Sequence, residues 1–324
     1  MKAIVLIGGF GTRLRPITLT VPKQLIPIAG RPMLYHVLDL LPADLEEAVL
    51  ATGYRADAID RYVREHPPRI PVRCVAETEP LGTGGGMKNV AEGMSDPFFL
   101  LNSDVIAEID AGRVAAALKR SDVVGAMSLA EVEDTSPYGV AALGPDDRID
   151  RFVEKPKPAD APSHWINAGF SAWRREVLDG IPAGRPVSFE SEVMPGLLPR
   201  GIRGVRLNGF WEDAGTPERL LRAQRLLFDA KRGGRGTVPA GALGTGPVAA
   251  GRGVTADGAS FGPYVTLGDG VRVDPGAHVE NSVVMDGAHL EREAFVSGSI
   301  LGPRARVRAT HRLHGAVVGE AGEA

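Results

Sequence analysis

The stretch AIVLIGGFGTRLRP occupies residues 3–16 and joins an apolar run to a basic, glycine-rich loop. The run Ala3–Ile7 predicts a β-strand, because it is continuously aliphatic, too short for a core helix and followed at once by glycine. Gly8, Gly9 and Gly11 let the backbone fold tightly and present N–H groups to an anion. The stretch therefore predicts a strand of an α/β protein that ends in a loop suited to phosphate.

Two arginines in this loop, Arg13 and Arg15, can donate charged hydrogen bonds to phosphate oxygens. The loop fits neither common phosphate-binding motif. A dinucleotide fold needs glycine where Leu14 stands, and a P-loop needs the sequence Gly-Lys-Ser/Thr, which the chain lacks. The loop is therefore interpreted as a third kind of phosphate site, and the alternative is a tight turn with incidental arginines.

A lysine lies on a stiff segment shortly after the loop. Lys23 stands between Pro22 and Pro27, which restrict the backbone and can hold the lysine in a defined direction. A lone lysine is usually a solvated surface charge. In this position, however, Lys23 is a candidate ligand of a triphosphate.

The first 232 residues alternate strand-like and helix-like runs, which predicts a Rossmann-like, mostly parallel sheet flanked by helices. Ligands of such sheets bind beyond the carboxyl ends of the strands, so the loops after Ile7 and Leu101 are the first candidates for a site. The further predicted strands are Ala48–Thr52, Val72–Ala76, Phe98–Leu101 and Val123–Leu129. The predicted helices between them are Ala56–Arg64, Gly85–Met94 and Ala111–Lys119.

The last part of the chain follows a different pattern. Residues 233–247 are rich in glycine and predict a linker between a domain of residues 1–232 and one of residues 248–324. Beyond the linker, aliphatic residues recur at steps of six, which predicts a short left-handed parallel β-helix of hexapeptide repeats. The alternative is a glycine-rich tail with scattered aliphatic residues. The repeated positions are Val248 and Val254, then Phe261, Leu267, Val273 and Val279, then Val284, Leu290 and Val296, and finally Leu301, Val307 and Leu313.

The 324 residues are 44% apolar and 24% charged, as is typical of a globular protein of one or two domains. A net charge of −3 offers no basic field for nucleic acid. The single cysteine, Cys74, excludes an intramolecular disulfide and a cysteine-rich zinc site. The apolar start of the chain predicts a strand rather than a signal peptide, and no apolar run approaches the roughly 20 residues of a membrane span. We therefore expect a cytoplasmic protein without a membrane partner.

Two aspartates in distant segments are candidates for a metal site. Asp104 ends the run FFLLNSD and would emerge at the carboxyl edge of the sheet, whereas Asp213 precedes a helix predicted to begin near Pro217. Mg²⁺ prefers one or two carboxylates together with phosphate oxygens and water. The alternatives are a loop or helix-cap aspartate at the first position and a turn residue at the second.

Nine segments in order resemble those of the sugar-1-phosphate nucleotidyltransferases, and they are most similar to those of the GDP-mannose pyrophosphorylases. They are GGFGTRLRP, PKQL, ETEPLGTGGG, FFLLNSDVI, YGV, FVEKP, NAG, SFESEVMP and GFWEDAGTP, and they cover nearly all of residues 1–232. The hexapeptide tail also occurs in that family. The resemblance implies transfer of a nucleotide to a sugar 1-phosphate, by one displacement at the α-phosphorus of an NTP, with Mg²⁺ as the cofactor.

The resemblance also assigns roles to individual residues. Arg13, Lys23, Asp104, Lys155 and Asp213 would be catalytic, with both aspartates on Mg²⁺ and Lys155 on the sugar phosphate. The nucleotide site would consist of Leu6, Gly8, Gly9, Gly11, Thr12, Arg13, Lys23, Glu77, Glu79, Pro80, Leu81, Gly82, Thr83, Asn102 and Ser103. The sugar-phosphate site would consist of Tyr138, Gly139, Glu154, Lys155, Asn167, Gly169 and Glu190, the last either near the sugar or supporting Lys155.

Two positions depart from the family pattern. Gln24 replaces the second proline of Pro-Lys-Pro, so the segment around Lys23 is expected to be less rigid. The run Gly84–Gly86 with Met87 stands where the family usually has alanine and leucine. Because glycine weakens a helix, we expect a weak start to this helix and a reshaped base or sugar pocket beside it.

Glu77 and Glu79 bear on the choice of base. Guanine offers two adjacent N–H donors, which one carboxylate can accept, whereas uracil and thymine suit an amide. Relatives that transfer thymidylyl or uridylyl groups typically carry glutamine at the position of Glu77. We therefore favour GTP and mannose 1-phosphate. The alternatives are that both glutamates are solvated loop charges, and that TTP, UTP or ATP reacts with another sugar or cyclitol phosphate.

Two further functions are weighed against this one. A non-catalytic regulatory subunit that binds a nucleotide sugar would be marked by loss of catalytic residues, but all five are present. A β-helix acyltransferase could use a histidine of the tail as its general base, the candidates being His278, His289, His311 and His314. A few coils are short for an acyl-donor site, so we expect the tail to mediate homo-oligomer contacts or regulation.

Overall fold

The computed structural model describes residues 1–119, 122–233 and 238–324. The chain forms two compact units, of which the first contains Met1–Gly9 and Val37–Trp211 and the second contains Phe10–His36 and Glu212–Ala324. These units divide the chain at other places than residue 232. The proposed division into residues 1–232, 233–247 and 248–324 therefore stays a prediction, and residues 234–237 of the linker lie outside the described ranges.

The elements before the tail follow the predicted alternation. The strands are β1 Lys2–Ile7, β2 Pro27–Ile28, β3 Arg31–Pro32, β4 Glu47–Thr52, β5 Val72–Ala76, β6 Phe98–Asn102, β7 Val105–Ala107, β8 Gly125–Glu131, β9 Gly139–Leu143, β10 Ile149–Glu154, β11 Trp165–Trp173, β12 Ile202–Arg206 and β13 Trp211–Asp213. The α-helices are α1 Met33–Leu38, α2 Ala56–Glu65, α3 Gly82–Asn89, α4 Ala111–Ala117, α5 Glu176–Asp179, α6 Met194–Leu197 and α7 Pro217–Asp229. Each predicted element is present, but α3 begins three residues before its predicted start and ends at Asn89 instead of Met94.

One sheet forms the centre of the first unit, in the order β10-β9-β11-β6-β1-β4-β5, and β8 pairs with both β11 and β12. Strands β6, β1, β4 and β5 are parallel, as predicted. Strand β11 runs antiparallel to β6, β8 and β9, and β9 runs antiparallel to β10. The α/β fold is confirmed, but the sheet is mixed instead of mostly parallel, because β11 runs against its three neighbours and a short turn returns the chain from β9 to β10.

The core of the first unit explains why its strands are continuously apolar. Ile4 on β1, Phe98 on β6 and Trp173 on β11 are fully buried in one cluster. Strands buried on both faces do not show the alternation of apolar and polar residues that half-exposed strands show. Burial of apolar area at about 25 cal/mol per Å² is the main force that holds these elements together.

In the second unit, helix α7 begins where its sequence predicts. The Thr216 side chain accepts a hydrogen bond from Arg219 N at 3.3 Å, and Pro217 occupies the first turn. Threonine satisfies a backbone donor that a helix leaves open at its start, and proline has no donor to lose there. The cap therefore fixes the start of α7 shortly after Asp213.

A buried glutamine joins α7 to two other parts of the second unit. The Gln224 side chain is fully buried, and its Oε1 accepts from Ala29 N at 3.2 Å and from Thr266 Oγ1 at 2.6 Å. Its Nε2 donates to Tyr264 O at 2.8 Å. A buried amide needs such partners. These hydrogen bonds join the segment after β2, helix α7 and the tail to one another.

The tail forms three parallel sheets, as a β-helix does. Their orders are β14-β16-β19-β22-β25, β15-β17-β20-β23-β26 and β18-β21-β24. The strands are β14 Leu243–Gly244, β15 Val248–Ala250, β16 Ser260–Phe261, β17 Val265–Leu267, β18 Arg272–Val273, β19 His278–Glu280, β20 Val283–Val284, β21 His289–Leu290, β22 Phe295–Ser297, β23 Ile300–Leu301, β24 Arg306–Val307, β25 Arg312–His314 and β26 Val317–Val318. Leu267, Val284 and Leu301 pair in successive coils and are buried. The repeat is thus confirmed, and its left-handed sense stays a prediction.

The tail histidines are spread over different strands. His278 Nδ1 lies 2.9 Å from Ser260 Oγ, and its ring stacks on Phe295. His289 belongs to a different sheet from His278, and its Nε2 lies 2.9 Å from Asp274 Oδ2. His311 and His314 are exposed. This arrangement gives no support to a shared acyl-transfer site.

Across the described ranges, no helix has both the length and the apolar character needed to cross a bilayer.

Candidate active site

The glycine loop leaves the carboxyl end of β1 with open space around it. Gly8 and Gly9 are exposed, and a Cβ placed on either would meet no atom of the described residues within 4 Å. Gly9 has a φ of 89°, which only glycine adopts without strain. The space beside these two residues is therefore available to something other than protein.

The loop after β6 emerges beside the one after β1, because the two strands are parallel neighbours. Leu6 pairs with Asn102, and Ser103 N donates to Leu6 O at 3.2 Å. Asp104 follows directly and is half-buried. The first unit thus brings Leu6, Gly8 and Gly9 to the same sheet edge as the Asn102–Asp104 segment, as predicted.

In the second unit, Gly11 and Lys23 come together. Gly11 has a φ of 59°, and a Cβ there would stand 2.9 Å from Thr18 Cγ2 and 3.4 Å from Lys23 Cβ. Lys23 is only 9% exposed, which argues against a solvated surface charge. Gln24 is buried as well, and a 3₁₀ turn spans Lys23–Leu25. The segment therefore keeps a defined turn without the second proline.

Arg13 and Asp213 converge on Gly215. A Cβ on Gly215 would lie 2.6 Å from Arg13 Nη2 and 2.7 Å from Asp213 Oδ1, so glycine makes room for both groups. Asp213 Oδ2 also pairs with Arg219 Nη1 at 3.2 Å. Arg219 was not predicted from the sequence, and the cap at Thr216 places it in the first turn of α7.

The carboxylate of Glu77 is held against α3. Its Oε2 accepts from Leu81 N at 3.2 Å, and its Oε1 lies 2.7 Å from where a Cβ on Gly86 would be. Burial raises the pKa of Glu77 above its usual range, and the hydrogen bond from Leu81 opposes that shift. Glu79 and Pro80 are exposed. Of the two candidate glutamates, Glu77 is therefore the one with a fixed carboxylate.

The segment around Val187 closes over the start of α3. Val187 O accepts from Gly84 N at 2.9 Å and from Gly85 N at 3.3 Å, which satisfies donors that a helix leaves open. A Cβ on Gly84 would stand 2.9 Å from Val187 Cγ1, so this approach requires glycine. Helix α3 begins at Gly82 despite the glycines, and a neighbouring backbone caps its first turn from outside.

Thr83 connects the predicted nucleotide motif to the predicted sugar motif. Its Oγ1 donates to Glu190 Oε2 at 2.6 Å and accepts from Phe189 N at 2.9 Å. Glu190 also lines a small pocket together with Asn102, Asn167 and Gly169. Glu190 thus contacts Thr83, a partner that the sequence analysis did not name for it.

Gly169 shapes this pocket through its backbone. It has a φ of 76°, and a Cβ there would stand 2.7 Å from Val105 Cγ2 and 3.2 Å from Asn102 Nδ2. Its N–H donates to Asn167 Oδ1 at 2.9 Å. The pairing register of β11 shifts between Asn167 and Ser171, and this irregularity turns Asn167 toward the pocket it lines.

The other predicted sugar residues lie where β9 and β10 pair. Glu154 pairs with Gly139, and a Cβ on Gly139 would stand 2.7 Å from Glu154 Oε2. Lys155 Nζ lies 3.2 Å from Glu154 Oε1, and Lys155 N donates to Tyr138 O at 3.0 Å. Burial raises the pKa of Glu154, an effect that Lys155 opposes. Lys155 has a φ of 47°, uncommon for a residue with a side chain, as at many functional sites.

Trp211 is a further residue that the sequence analysis did not assign. Its Nε1 donates to Ala168 O at 3.1 Å, and its ring meets Tyr138 edge-on with centroids 5.2 Å apart. It therefore supports Tyr138 beside the Asn167–Gly169 segment. The aromatic tryptophan in GFWEDAGTP was the available signal.

The predicted site residues fall in both units. The first unit brings together the edge of β1 and β6, Glu77 with α3, and the Glu154 and Glu190 clusters. The second brings Arg13 to Asp213 and Gly11 to Lys23. Because Asp104 and Asp213 belong to different units, their meeting at one metal stays a prediction.

Comparisons with known proteins show the family to which the chain is similar. Residues 2–229 match the Nucleotidyl transferase family, and residues 247–323 match the GMPPB C-terminal domain. The chain is 37% identical over 241 residues to the probable mannose-1-phosphate guanylyltransferase 1 of Oryza sativa subsp. japonica, covering 72% of this chain and 66% of that protein. It is 38% identical over 250 residues to the mannose-1-phosphate guanyltransferase of Neurospora crassa, covering 74% of this chain and 68% of that protein. The aligned region thus spans about two thirds of these relatives.

A solved structure extends the comparison to three dimensions. HddC from Yersinia pseudotuberculosis, complexed with GMP-PN, superimposes with a TM-score of 0.59 at 28% identity. The superposition covers 69% of this chain and 98% of that one.

Proposed function

This chain belongs to the nucleotidyl transferase family, and we propose that it joins an NTP to a sugar 1-phosphate, with GTP and mannose 1-phosphate as the favoured substrates. The observation that carries the proposal is the open glycine loop of Gly8 and Gly9 beside the Asn102–Asp104 segment. Ligands of α/β sheets bind at such an edge. The guanylyltransferase names of the rice and Neurospora relatives, and the GMP-PN bound to HddC, support the choice of substrates.

In the proposed reaction, an oxygen of the sugar phosphate attacks the α-phosphorus of the NTP. A new P–O bond forms as the bond to pyrophosphate breaks, and pyrophosphate leaves with the electron pair. Such transfers depend mainly on positioning and on stabilisation of charge. Arg13, Lys23 and Lys155 supply positive charge that offsets the repulsion between two approaching anions.

The available donors fit Mg²⁺. Asp104 and Asp213 offer the carboxylate oxygens that this ion prefers, and Arg219 holds one oxygen of Asp213 in a fixed direction. We assign these two aspartates as its ligands. Bound Mg²⁺ would neutralise charge on the phosphate oxygens. The residues of this chain would then orient the triphosphate, through the loop N–H groups, Arg13 and Lys23.

The proposed choice of GTP follows from Glu77. Its carboxylate is fixed by Leu81 N–H at one oxygen, which leaves further lone pairs for the N1–H and the 2-amino group of guanine. For the sugar, Asn167, Glu154 and Glu190 offer oxygens to hydroxyl groups, and Lys155 offers a charge to the phosphate. These side chains suit a hydroxylated ring.

A substrate panel tests the proposal. Each of the four common NTPs and TTP is incubated with mannose 1-phosphate, glucose 1-phosphate or a cyclitol phosphate in the presence of Mg²⁺, and pyrophosphate release is measured. We expect the fastest release with GTP and mannose 1-phosphate. Preference for TTP or UTP would refute the guanine choice, and binding of a GDP-sugar without any release would favour a regulatory subunit.

The metal assignment has its own test. Asp104→Asn removes one charge with little change of shape, so we expect it to lower turnover by about 10²–10³-fold and to leave the fold intact. Circular dichroism and Tm check the fold, and pyrophosphate release checks the activity. Near-normal turnover of this variant would contradict the assignment.

We further propose that the tail mediates homo-oligomer contacts and that the protein acts in the cytoplasm. Light scattering of the full chain, compared with a chain ending before residue 248, tests the first statement. Equal subunit numbers for both chains would contradict it.

A further inference from the structure

The contact between Glu77 and Gly86 has a consequence for base selection. We propose that Gly86 is a specificity-determining positioning residue, whose missing Cβ leaves the space in which the Glu77 carboxylate receives guanine. This inference rests on the proposed use of GTP. Gly86 is the last of the three consecutive glycines in α3.

Glu77 reaches α3 from the end of β5. Its backbone N–H donates to Thr52 O at 2.7 Å, which continues the pairing of β4 and β5 by one residue. Its side chain then turns toward α3, where Leu81 N–H holds Oε2 at 3.2 Å. The other oxygen, Oε1, lies over the backbone of Gly86. One hydrogen bond therefore holds the carboxylate, and the absence of a methyl group on Gly86 leaves room for it.

A methyl group at position 86 conflicts with this carboxylate and with little else. It would stand 2.7 Å from Glu77 Oε1, but 3.5 Å from Leu6 Cδ2 and 4.0 Å from Ala51 Cβ. The last two are ordinary van der Waals contacts. Because the carboxylate ends a flexible side chain, alanine is compatible with the fold but not with this position of Glu77.

The other two glycines of the run differ in this respect. Methyl groups at Gly84 and Gly85 would press on backbone atoms of the segment around Val187, at 3.2 and 3.1 Å, and on side chains at 2.9 and 2.8 Å. They are therefore needed for packing. At Gly86 packing makes no such demand, and alanine would favour the helix by about 1 kcal/mol over glycine. What glycine provides at position 86 is room for the carboxylate.

Displacement of the Glu77 carboxylate would weaken binding of the base and leave binding of the phosphates unchanged. An oxygen that must retreat from 2.7 Å to ordinary contact moves by roughly half an ångström or more, which misaligns hydrogen bonds to two donors at once. Guanine presents N1–H and a 2-amino group, whereas the hypoxanthine of ITP lacks the 2-amino group. The ratio of kcat/KM for GTP to that for ITP therefore measures the placement of Glu77, since both nucleotides carry the same triphosphate.

The experiment compares four proteins, all assayed with mannose 1-phosphate. We expect the wild type to prefer GTP to ITP and Gly86→Ala to lower that ratio by about 10-fold, through the KM for GTP, with kcat retained and Tm equal to or above that of the wild type. Glu77→Gln should lower the ratio at least as much. Gly53→Ala is the matched control, because its methyl group would stand 3.8 Å from Glu77 Oε2 without conflict, and it should leave the ratio unchanged.

The double variant shows whether Gly86 acts through Glu77. With Glu77 already replaced by glutamine, adding Gly86→Ala should lower the ratio far less than it does alone, because coupled residues are not additive. An unchanged GTP/ITP ratio in Gly86→Ala, a fully additive double variant, or a Gly86→Ala protein that fails to fold would each overturn the inference. A wild type that prefers TTP or UTP would instead refute the proposed use of GTP.

Discussion

Gly8 and Gly9 stand at the open end of β1, where an added Cβ would meet no atom of the described chain within 4 Å. Gly84, Gly85 and Gly86 are buried in α3, where an added Cβ would stand 2.7 to 2.9 Å from a neighbour. Both segments are conspicuous in the sequence, which predicts a nucleotide site at the first and a reshaped base or sugar pocket beside the second. The first segment is surrounded by open space, whereas the second leaves space for parts of the protein itself.

The comparison separates two uses of glycine near one site. In the loop, the missing side chains leave the exposed backbone of Gly8 and Gly9 uncovered, a feature that anion-binding loops require. In α3, they allow Val187 O to cap the helix and Glu77 to reach its backbone face. Substitution of Gly8, which has ordinary backbone geometry and no close neighbour, should therefore change activity and spare stability, whereas substitutions at Gly84 should reduce stability first.

Among substitutions in and around the two glycine segments, the largest effect is expected in the open loop. Gly8→Ala places a methyl group where the phosphates would approach, and we expect turnover to fall by about 10²-fold, because small misplacements of reacting groups have effects of this size. The apo protein should keep its Tm, since no described neighbour is crowded. Pyrophosphate release and thermal melting check the two halves of this expectation. Full activity of Gly8→Ala would remove the distinction between the two glycine segments.

The next effect concerns the Thr83 hydroxyl, which joins α3 to the Phe189–Glu190 segment. Thr83→Val keeps the shape but removes the donor to Glu190 and the acceptor of Phe189 N–H. Leaving such groups without partners costs about 1–3 kcal/mol, so Tm should fall by several degrees. Thr83→Ser keeps the hydroxyl and serves as the control. Equal Tm values for the two variants would show that these hydrogen bonds do not secure the segment.

A smaller loss of stability is expected for Gly84→Ala. Crowding against Val187 costs typically 1–3 kcal/mol, and the better helix propensity of alanine offsets about 1 kcal/mol of it. The net result should be a fall in Tm of a few degrees, with the GTP/ITP preference retained in the folded protein. Differential scanning calorimetry measures the first quantity. A Gly84→Ala protein more stable than wild type would mean that the close approach to Val187 is not required.

The smallest effect follows from the raised pKa of Glu77. A carboxyl whose pKa is higher in the fold than in the unfolded chain favours the fold while protonated, and this contribution is lost as pH rises from the ordinary pKa to the raised one. Glutamine stays neutral as pH rises, so Glu77→Gln does not lose this contribution to stability. Its Tm at pH 7 should exceed that of wild type by on the order of a degree. The difference should vanish below the ordinary glutamate pKa of about 4.3, and a variant less stable than wild type at every pH would contradict this reading.

Much of the fold was predictable because it depends on local patterns. Three features could be predicted from a few neighbouring residues each. They are the continuous aliphatic run of β1, the start of α7 at Thr216 and Pro217, and the hexapeptide steps of the tail. The antiparallel placement of β11 depends instead on pairing between distant strands. The early start of α3 depends on a cap from Val187, about a hundred residues away in sequence.

The site divides in the same way. The glycine loop, Lys23 and both aspartates are proposed from residue type and position, because phosphate and magnesium bind particular chemical groups. Arg219 beside Asp213, Trp211 beneath Tyr138 and the contact of Thr83 with Glu190 were not, since each joins segments whose proximity only the folded chain creates. The meaning of Gly86 likewise emerged only once Glu77 was seen against it.

Stabilisation by nucleotide tests most directly whether the open loop of Gly8 and Gly9 receives the NTP. Tm is measured for wild type and Gly8→Ala, with and without GTP and Mg²⁺. A ligand at about 100 times its Kd stabilises a protein by about 2.7 kcal/mol, which corresponds to several degrees. We predict that the two apo proteins melt together, that GTP raises the Tm of the wild type by this amount, and that the rise is largely lost in Gly8→Ala. An equal rise in both proteins would contradict the assignment of the loop.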